Sequence, residues 1–591
     1  MTYRAPVADM LFALEVVGLD RALELEPFGQ FDPATLGGVL EEAGRFMAEV
    51  IAPIGPTGDA VGTVLEADGS VATPPGYREA YAKFVDAGWP AAAMPQEWGG
   101  GGLPWAVGVA LQEMLTASDM AFSLCPMLTY SADEMLLQHG SDEQRATYLG
   151  RLVSGEWTGT MVLTEPHAGS DVGALSAKAV PAGDGSYRIT GTKIFITWGD
   201  HDLTDNIVHI VLARTPDAPP GTRGISCFIV PKRLVGPDGA AGEPNDVTTV
   251  SLEHKLGIHA SPTCVLSFGD RGEGAVGYLI GEENEGMRYM FTMMNNARLQ
   301  VGLEGLAIAE RSYQAAVAYA SERTQGKAID DEARPSPIVR HPDVRRMLMM
   351  MRAQTEAMRC VMYRNALAID LAAHHPDAAV RDAEEDIAGI LTPVSKAWGT
   401  DLGVEMASMA IQVHGGVGYV EETGIARLWR DSRIAPIYEG TNGIQAIDLV
   451  TRKLPLAGGD AIRSLLAEAR GDADALDGEL TGIREHLVAA LDATGKATDE
   501  LLGALDGRLG DALSGATPYT TMLGITLGGW MLARSARIAS EMDAGEFASS
   551  KVATARFYAD HVLSTAPGLL AGVLAGRDTT FGIPEESLGR T

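Results

Sequence analysis

The stretch Met161–Asp171 reads Met-Val-Leu-Thr-Glu-Pro-His-Ala-Gly-Ser-Asp and divides this 591-residue chain into regions of different character. Before it, up to about residue 155, apolar residues recur at helical spacing, as in Leu36–Val50 and Ala106–Leu115. After it, up to about residue 281, short β-rich runs alternate with clusters of Gly, Pro, Asp and Asn, which is typical of a compact β-domain. The stretch itself is predicted to be a strand that ends in a turn.

The strands predicted for this middle region, besides one over Gly159–Leu163, are Tyr187–Thr197, Ile207–Arg214, Ile225–Val230 and Cys264–Phe268. Residues 236–245 are predicted to form a polar loop. Long apolar periodicity returns from residue 284 to about residue 453, and a further amphipathic tail follows. We therefore expect an α+β, mostly α protein whose domains span residues 1–155 (helical), 156–282 (β), 283–453 (helical) and 460–591 (an additional helical domain, packed on the body or on a partner subunit).

Composition narrows the class of function. A net charge of −32 and a pI near 4.7 argue against binding to nucleic acid or to an anionic membrane. No apolar stretch is long enough for membrane insertion, and the first residues lack a targeting pattern, so a cytoplasmic protein is expected. The four cysteines show no metal-ligand spacing, which predicts buried reduced thiols and no metal site.

The Met161–Asp171 stretch can bind a flat or phosphorylated ligand. The end of a strand offers main-chain N–H and C=O groups to the edge of a ring, Gly169 permits close backbone approach, and Ser170 can hold a pyrophosphate. Alternatively, the segment is an ordinary turn in which Ser170 or Asp171 caps a short helix. The residues alone favour neither interpretation.

A second informative stretch, Ala435–Gln445, reads Ala-Pro-Ile-Tyr-Glu-Gly-Thr-Asn-Gly-Ile-Gln and places Glu439 at a turn before a new helix. Apolar neighbours would raise the pKa of this carboxyl towards neutrality, which suits a general base. Alternatively, Glu439 only complements the positive end of the helix that starts near Asn442, and the residues alone favour this second interpretation.

The two stretches together resemble the signatures of the acyl-CoA dehydrogenase flavoproteins, and the resemblance covers roughly residues 35–453. It implies an N-terminal helical domain, a middle β-domain and a C-terminal four-helix-bundle domain. It also implies an FAD cofactor, an acyl-CoA substrate, an electron-transfer flavoprotein as electron acceptor, and a homo-oligomer, either dimer or tetramer.

The resemblance also implies the residues that contact FAD. Phe195 would pack on the isoalloxazine face, where many relatives have Trp, and Thr197 would bond near the reactive N5. Arg323 would meet the FAD phosphate, although its turn is one residue shorter than the family pattern and lacks the usual Phe. The remaining expected FAD contacts are Met161, Leu163, Thr164, Gly169, Ser170, Thr441 and, from the neighbouring subunit, Gln412, Gly415 and Gly416. His414, between them, is expected to be structural.

By the same resemblance, Glu439 is the catalytic base that removes the proton α to the thioester while the β-hydrogen leaves as hydride. Some relatives carry the base just before the arginine of a helix equivalent to residues 295–298, but Ala297 cannot act as one. Arg298 would be an orienting cation. The expected substrate-binding residues are Ser170, Arg298, Tyr438, Glu439 and Gly440.

Within the family, three features most resemble the bacterial 3-(methylthio)propionyl-CoA dehydrogenases of dimethylsulfoniopropionate catabolism: the helical tail, the opening Tyr3-Arg4-Ala5-Pro6 and the Met161–Asp171 stretch. Three alternatives remain: a general short-, medium- or long-chain fatty acyl-CoA dehydrogenase of β-oxidation, an acyl-CoA oxidase, and a non-catalytic flavin-binding relative associated with DNA. The last would need a basic C-terminal surface, whereas this tail carries more acidic than basic residues.

Overall fold

The computed structural model describes residues 3–329 and 335–589. The N-terminal region is helical, as predicted, with one two-stranded ribbon. Its elements are α1 (Val7–Val17), α2 (Asp20–Leu23), α3 (Pro33–Phe46), α4 (Gly55–Val61), β1 (Val64–Leu65), β2 (Val71–Ala72), α5 (Tyr77–Asp86), α6 (Trp105–Ser118), α7 (Met120–His139), α8 (Asp142–Gln144) and α9 (Gly150–Val153). Helices α6 and α7 are buried on nearly all sides, which explains their almost continuous apolar sequence.

The middle region is the predicted β-domain. Its strands are β3 (Thr158–Val162), β4 (Lys178–Pro181), β5 (Tyr187–Thr197), β6 (Ile207–Ala213), β7 (Ser226–Pro231), β8 (Arg233–Val235), β9 (Ala241–Pro244), β10 (Val247–Leu252), β11 (Thr263–Phe268) and β12 (Ala275–Leu279). The main sheet has the order β10-β11-β5-β12-β7-β6-β3, and β4 pairs with β5. Only β3 and β6, among the paired strands described, run parallel.

The prediction of a polar loop over residues 236–245 was wrong in its second half, because β9 pairs with β8 there. A tight turn makes the pairing possible: Gly239 has a φ of 76°, and the Asp238 side chain accepts the Ala240 N–H. Polar, glycine-rich composition therefore concealed a short hairpin whose strand residues are mostly half-buried. Strands β4, β10 and β12 were also missing from the sequence-based expectation.

The second helical region contains α10 (Gly286–Glu322), α11 (Pro342–His374), α12 (Ala378–His414), α13 (Ile425–Ser432) and α14 (Asn442–Asp448). Helices α10 and α12 are in backbone contact. A Cβ added to Gly305 would lie 2.1 Å from the Gly399 carbonyl oxygen, and one added to Gly302 would lie 2.7 Å from that of Ser395. These glycines therefore fix the distance between the two helices that flank the candidate site.

The tail is the predicted further helical region, with α15 (Asp460–Asp474), α16 (Thr481–Ala504), α17 (Leu509–Glu541), α18 (Glu546–His561), α19 (Ala566–Val573) and α20 (Gly576–Thr580). It packs on the body of its own chain. Gly524 of α17 lies against the Trp398 ring of α12. Lys551 of α18 forms ion pairs with Asp9 and, at 3.0 Å, with Glu356.

All four cysteines are free and buried, as predicted. Within residues 3–329 and 335–589, no helix combines the length and the apolar character needed to cross a membrane.

Candidate active site

Glu439 lies on a strained turn between α13 and α14. The turn is closed by backbone hydrogen bonds from the Ile437 N–H to the Ile434 carbonyl (2.8 Å) and from the Asn442 N–H to the Pro436 carbonyl (3.0 Å). Glu439 has a φ of 55°, in the left-handed region that side chains other than glycine rarely adopt. Backbone strain of this kind concentrates at functional sites.

Gly440 is required for this geometry. Its φ is 81°, and a Cβ there would lie 2.7 Å from Nε2 of Gln445. The same Nε2 donates a hydrogen bond of 3.2 Å to the Glu439 carbonyl oxygen. The Gly440 and Gln445 of the sequence motif thus hold the backbone of Glu439.

The N-terminus of α14 is capped by Thr441 rather than by Glu439. The Thr441 hydroxyl accepts the Ile444 N–H at 3.2 Å. The alternative role considered for Glu439, complementing the start of this helix, is therefore not needed to satisfy the helix terminus.

The Glu439 side chain is half-buried, and its surroundings change the pKa of its carboxyl. Burial raises its pKa to about 7, while the cations Arg298 and Lys396 act in the opposite direction. Among the described residues, no hydrogen bond or ion pair within 4 Å reaches the carboxylate oxygens. A carboxyl that lacks a direct partner keeps its lone pairs available to a substrate.

Arg298 lies beside this turn, as predicted. It is 4% exposed on α10, and its guanidinium lies near Gly440, 3.8 Å from the position of an added Cβ. Its Nη1 lies 3.9 Å from Asp448, and its buried Nε has no hydrogen-bond partner among the described residues. The buried cation can therefore orient charge at the turn without neutralising Glu439 directly.

Tyr438 is anchored by a residue that the sequence-based prediction missed. Its hydroxyl lies 2.6 Å from both carboxyl oxygens of Glu304, which is 1% exposed on α10. On the other side of the turn, the buried Lys396 of α12 donates from Nζ to Oδ1 of Asn442 at 2.9 Å. Both residues lie in helices that looked like uniform core in sequence, so only the contacts reveal them.

The predicted flavin strand ends where β3 meets β5. Met161, Leu163 and Thr164 are half-buried. The Leu163 carbonyl accepts a hydrogen bond from Nζ of Lys193 at 2.9 Å, and the Thr164 carbonyl accepts one from the Ile194 N–H at 2.9 Å. Lys193 also pairs with the buried Glu165 at 2.9 Å.

Phe195 occupies an irregular position in β5. The register between β11 and β5 shifts at this point, since Cys264 pairs with Ile196 and Leu266 pairs with Lys193. Phe195 has a φ of 58° and is 58% exposed, although it is a large aromatic residue. Bulges of this type re-aim side chains next to active sites. Thr197 follows, half-buried, at the end of the strand.

Gly169 and Ser170 are exposed after the strand, and a Cβ added to Gly169 would meet no protein atom within 4 Å. A short 3₁₀ helix, Val172–Ala174, does follow, but its N-cap Asp171 makes no side-chain capping hydrogen bond. The alternative capping role for Asp171 therefore does not explain this segment.

The remaining predicted FAD contacts form a separate group at the ends of α10 and α12. The rings of Tyr319 and His414 stack with centroids 4.4 Å apart, which joins the two helix ends. His414 also bonds the Ala410 carbonyl at 2.8 Å, consistent with the structural role expected for it. Arg323, Gln412, Gly415 and Gly416 are exposed beside this contact.

The residues present fit a dinucleotide with a flat ring. Phe195 offers an exposed aromatic face, and Cβ atoms at Gly169, Gly415 and Gly416 would meet no protein atom. The structure thus arranges the predicted residues in three groups: the base turn, the edge of the β-domain, and the exposed helix ends.

Comparisons with known proteins identify the family of this chain. Family models for the N-terminal, middle and C-terminal domains of acyl-CoA dehydrogenases match residues 38–156, 160–271 and 284–454. A model described as acetyl-CoA dehydrogenase C-terminal like matches residues 460–584.

Two curated relatives are similar over nearly their whole length. The 3-methylmercaptopropionyl-CoA dehydrogenase of Ruegeria pomeroyi is 46% identical over 95% of this chain and 96% of its own. The broad-specificity linear acyl-CoA dehydrogenase of Mycobacterium tuberculosis is 35% identical over 95% of both chains. The structure of a Bacillus anthracis acyl-CoA dehydrogenase complexed with FAD has a TM-score of 0.74 at 21% identity, over 94% of this chain and 90% of the other, and so shares its fold. On the family models and the two relatives, the chain belongs to the acyl-CoA dehydrogenase family of oxidoreductases.

Proposed function

We propose that this protein is an FAD-dependent dehydrogenase that converts an acyl-CoA thioester to the trans-2-enoyl-CoA, with Glu439 as the base. The observation that carries the proposal is a carboxyl on a strained turn, without a direct partner, whose pKa burial raises to about 7. Such a group exists in both protonation states near neutral pH, as proton abstraction next to a carbonyl requires.

In the reaction proposed, the Glu439 carboxylate takes the proton from the carbon α to the thioester, and the C–H bonding pair becomes the Cα=Cβ bond as the β-hydrogen leaves with its own pair, while negative charge develops on the thioester oxygen. The cation Arg298, at the same turn, orients and partly balances the charge on the carboxylate. Bound FAD would supply the oxidant, accepting the β-hydrogen as hydride. Main-chain N–H groups at the turn are suited to stabilise the enolate-like oxygen.

The edge of the β-domain supports the proposed FAD site. The residues that would face the pyrimidine end of the flavin ring are Met161, Leu163 and Thr164. Phe195 would pack on the face of the ring, and Thr197 would lie near its centre. The rest of FAD would be contacted by Gly169, Ser170 and Thr441. The exposure of Phe195 is the strongest support, because an aromatic side chain that is 58% exposed and has a left-handed backbone is costly without a ligand.

A homo-oligomer and an electron-transfer flavoprotein complete the proposal. The exposed Gln412, Gly415 and Gly416 would contact the adenosine end of FAD in a neighbouring subunit, and the exposed Arg323 would meet an FAD phosphate. Reduced cofactor would pass its electrons to the partner flavoprotein. An acyl-CoA oxidase would instead reduce oxygen, so slow aerobic reoxidation of the reduced protein is expected.

For the acyl group, we propose 3-(methylthio)propionyl, the substrate named for the Ruegeria relative. Met294 is 9% exposed on α10, four residues before Arg298, and the half-buried Met161 packs against the same apolar cluster. Polarisable, flexible methionines pack well against a thioether. The main alternative is broad activity on linear acyl chains, as the name of the mycobacterial relative describes for that protein.

A panel of thioesters with a ferrocenium acceptor tests the proposal. The matched pair is 3-(methylthio)propionyl-CoA and pentanoyl-CoA, which differ by one sulfur in place of a methylene. We expect kcat/KM to be about tenfold higher for the thioether, the scale on which a pocket discriminates one group. Equal rates on the pair together with high rates on octanoyl-CoA would favour the broad-specificity alternative. Protein that is colourless and takes up no added FAD would contradict the proposed function itself.

A further inference from the structure

The base turn is held at both ends by buried ionisable residues from two helices. At one end, the carboxylate of Glu304 on α10 accepts a hydrogen bond from the Tyr438 hydroxyl at 2.6 Å. At the other end, Lys396 of α12 donates to Asn442 at 2.9 Å. Glu439 lies between Tyr438 and Asn442, so both contacts act on the segment that carries the base.

The two helices that supply these contacts form a rigid frame. Their backbones touch at Gly302, Gly305 and Gly399, as the Cβ positions above show. Asn442 is fixed further, since its Nδ2 donates to the Ala397 carbonyl at 3.0 Å and to Asp401 at 2.8 Å. Movement of the turn would therefore have to break a partly buried hydrogen bond at one end or the other.

Glu304 depends on Tyr438 for its polar contacts. Among the described residues, the Tyr438 hydroxyl is the only hydrogen-bond partner of the Glu304 carboxyl. Burial raises the pKa of this carboxyl to about 8, while Tyr438 and Lys396 oppose the rise. An apolar residue would fill the same core position without the desolvation cost of a carboxyl, so packing alone does not account for a glutamate here.

We propose that Glu304 is a positioning residue: through the Tyr438 hydroxyl, and opposite the Lys396–Asn442 bond, it fixes the turn that presents the Glu439 carboxylate to the substrate. This inference rests on the proposed function of Glu439. Glu304 itself reaches neither substrate nor cofactor in this role. Its effect is on the orientation of the base, to which proton transfer is sensitive on the scale of an ångström.

A double-mutant cycle on the holoenzyme tests the proposal. Glu304→Leu removes the acceptor and Tyr438→Phe removes the donor, and each should lower kcat about tenfold with little change in KM. The double variant should lose no more than either single variant, because both break the same contact. Glu304→Gln keeps a side-chain oxygen that accepts the hydrogen bond from the Tyr438 hydroxyl, and it should recover kcat to within about threefold of the parent protein.

Tyr363→Phe is a matched control. Tyr363 also donates from a buried ring to a buried glutamate, Glu113, at 2.7 Å, but away from the base turn. It should lower Tm and leave kcat unchanged. If Glu304→Leu fails to fold, the comparison of Tyr438→Phe, Glu304→Gln and Tyr363→Phe still decides the question.

Several outcomes would overturn the positioning role: additive losses in the cycle, losses confined to KM, Glu304→Gln no better than Glu304→Leu, or Tyr438→Phe no worse in kcat than Tyr363→Phe. Assay of Glu439→Gln in the same series distinguishes failure of the positioning role of Glu304 from failure of the proposed function, in which Glu439 is the base. If Glu439→Gln is inactive but the cycle shows no effect on kcat, only the role of Glu304 falls. If Glu439→Gln turns over normally, the proposed function falls.

Discussion

The two signature stretches each carry a glutamate, and the two carboxyls differ in their hydrogen-bond partners and in the direction of their pKa shifts. Glu165, at the end of β3, is 2% exposed and bonded on both oxygens: to Lys193 and the Ala177 N–H, and to the Ser176 N–H and hydroxyl. Glu439 has no such partners among the described residues, and its cations lie further away. Burial opposes ionisation of both, but Lys193 and the bonds from residues 176 and 177 lower the pKa of Glu165, whereas the pKa of Glu439 rises to about 7.

The difference separates a carboxylate held by direct partners from one that suits the role of base proposed for it. Direct ion pairing fixes Glu165 in its charged form and ties the segment after β3 to β5 through Lys193. Distance from Arg298 and Lys396 leaves Glu439 balanced between its two forms. A perturbed pKa at a strained turn is the expected property of a catalytic group.

Replacing each glutamate by glutamine should therefore give opposite phenotypes. The largest effect is expected for Glu439→Gln, which should lower kcat by about 10³-fold or more, since an amide cannot accept the α-proton. Bound FAD should remain, because the substitution is isosteric and lies outside the β-domain edge. Steady-state kinetics and the flavin absorbance of the purified variant measure both quantities.

Glu439→Asp provides the matched control, since it keeps the carboxylate and shortens the side chain by one methylene. It should retain more activity than Glu439→Gln, with a loss of about 10²-fold from misplacement of the base. If the Gln variant were as active as the Asp variant, the base would have to be sought elsewhere.

Glu165→Gln should instead affect stability. The substitution leaves the buried Lys193 ammonium without its counter-charge, which should cost about 3 kcal/mol in the free energy of unfolding. Because the pKa of Glu165 is lowered in the fold, its stabilisation is present above about pH 4.5 and is lost as the pH falls. Urea unfolding at pH 7 and pH 4 should show a large difference from the parent protein at pH 7 and a smaller one at pH 4.

The sequence predicted what depends on local pattern. The strand Tyr187–Thr197 was predicted with the bounds that the structure gives, and Glu439 was placed correctly on a turn before a helix at Asn442. Periodicity and turn residues carry this information over a few positions. The hairpin of β8 and β9 was missed because its strands have only three and four residues and the segment between them is rich in Gly, Pro and Asp.

Contacts between distant segments could not be predicted in this way. Glu304 and Lys396 lie inside long helices whose sequence shows only apolar periodicity with isolated charges, and nothing local marks them as partners of residues 438 and 442. The pairing of Glu165 with Lys193 spans 28 residues and depends on the strand register. In each case a buried charge in an otherwise apolar element was the available signal, and it gave no indication of the partner.

The pH dependence of kcat/KM and of stability should show the smallest of these differences between Glu439 and Glu165. The base must be ionised, so kcat/KM should rise about tenfold per pH unit up to about pH 7 and then level off, following the pKa of Glu439.

The contribution of Glu439 to the free energy of unfolding should change in the opposite direction. Its raised pKa favours the fold below about pH 4.5, and this contribution is lost as the pH rises through 7. Glu439→Gln should therefore equal the parent protein in Tm near pH 4.5 and exceed it at pH 8, while Glu165→Gln lies below it at pH 8. A kcat/KM profile that is flat from pH 5 to pH 8 would mean that Glu439 ionises as an ordinary carboxyl, and the contrast with Glu165 would lose its chemical meaning.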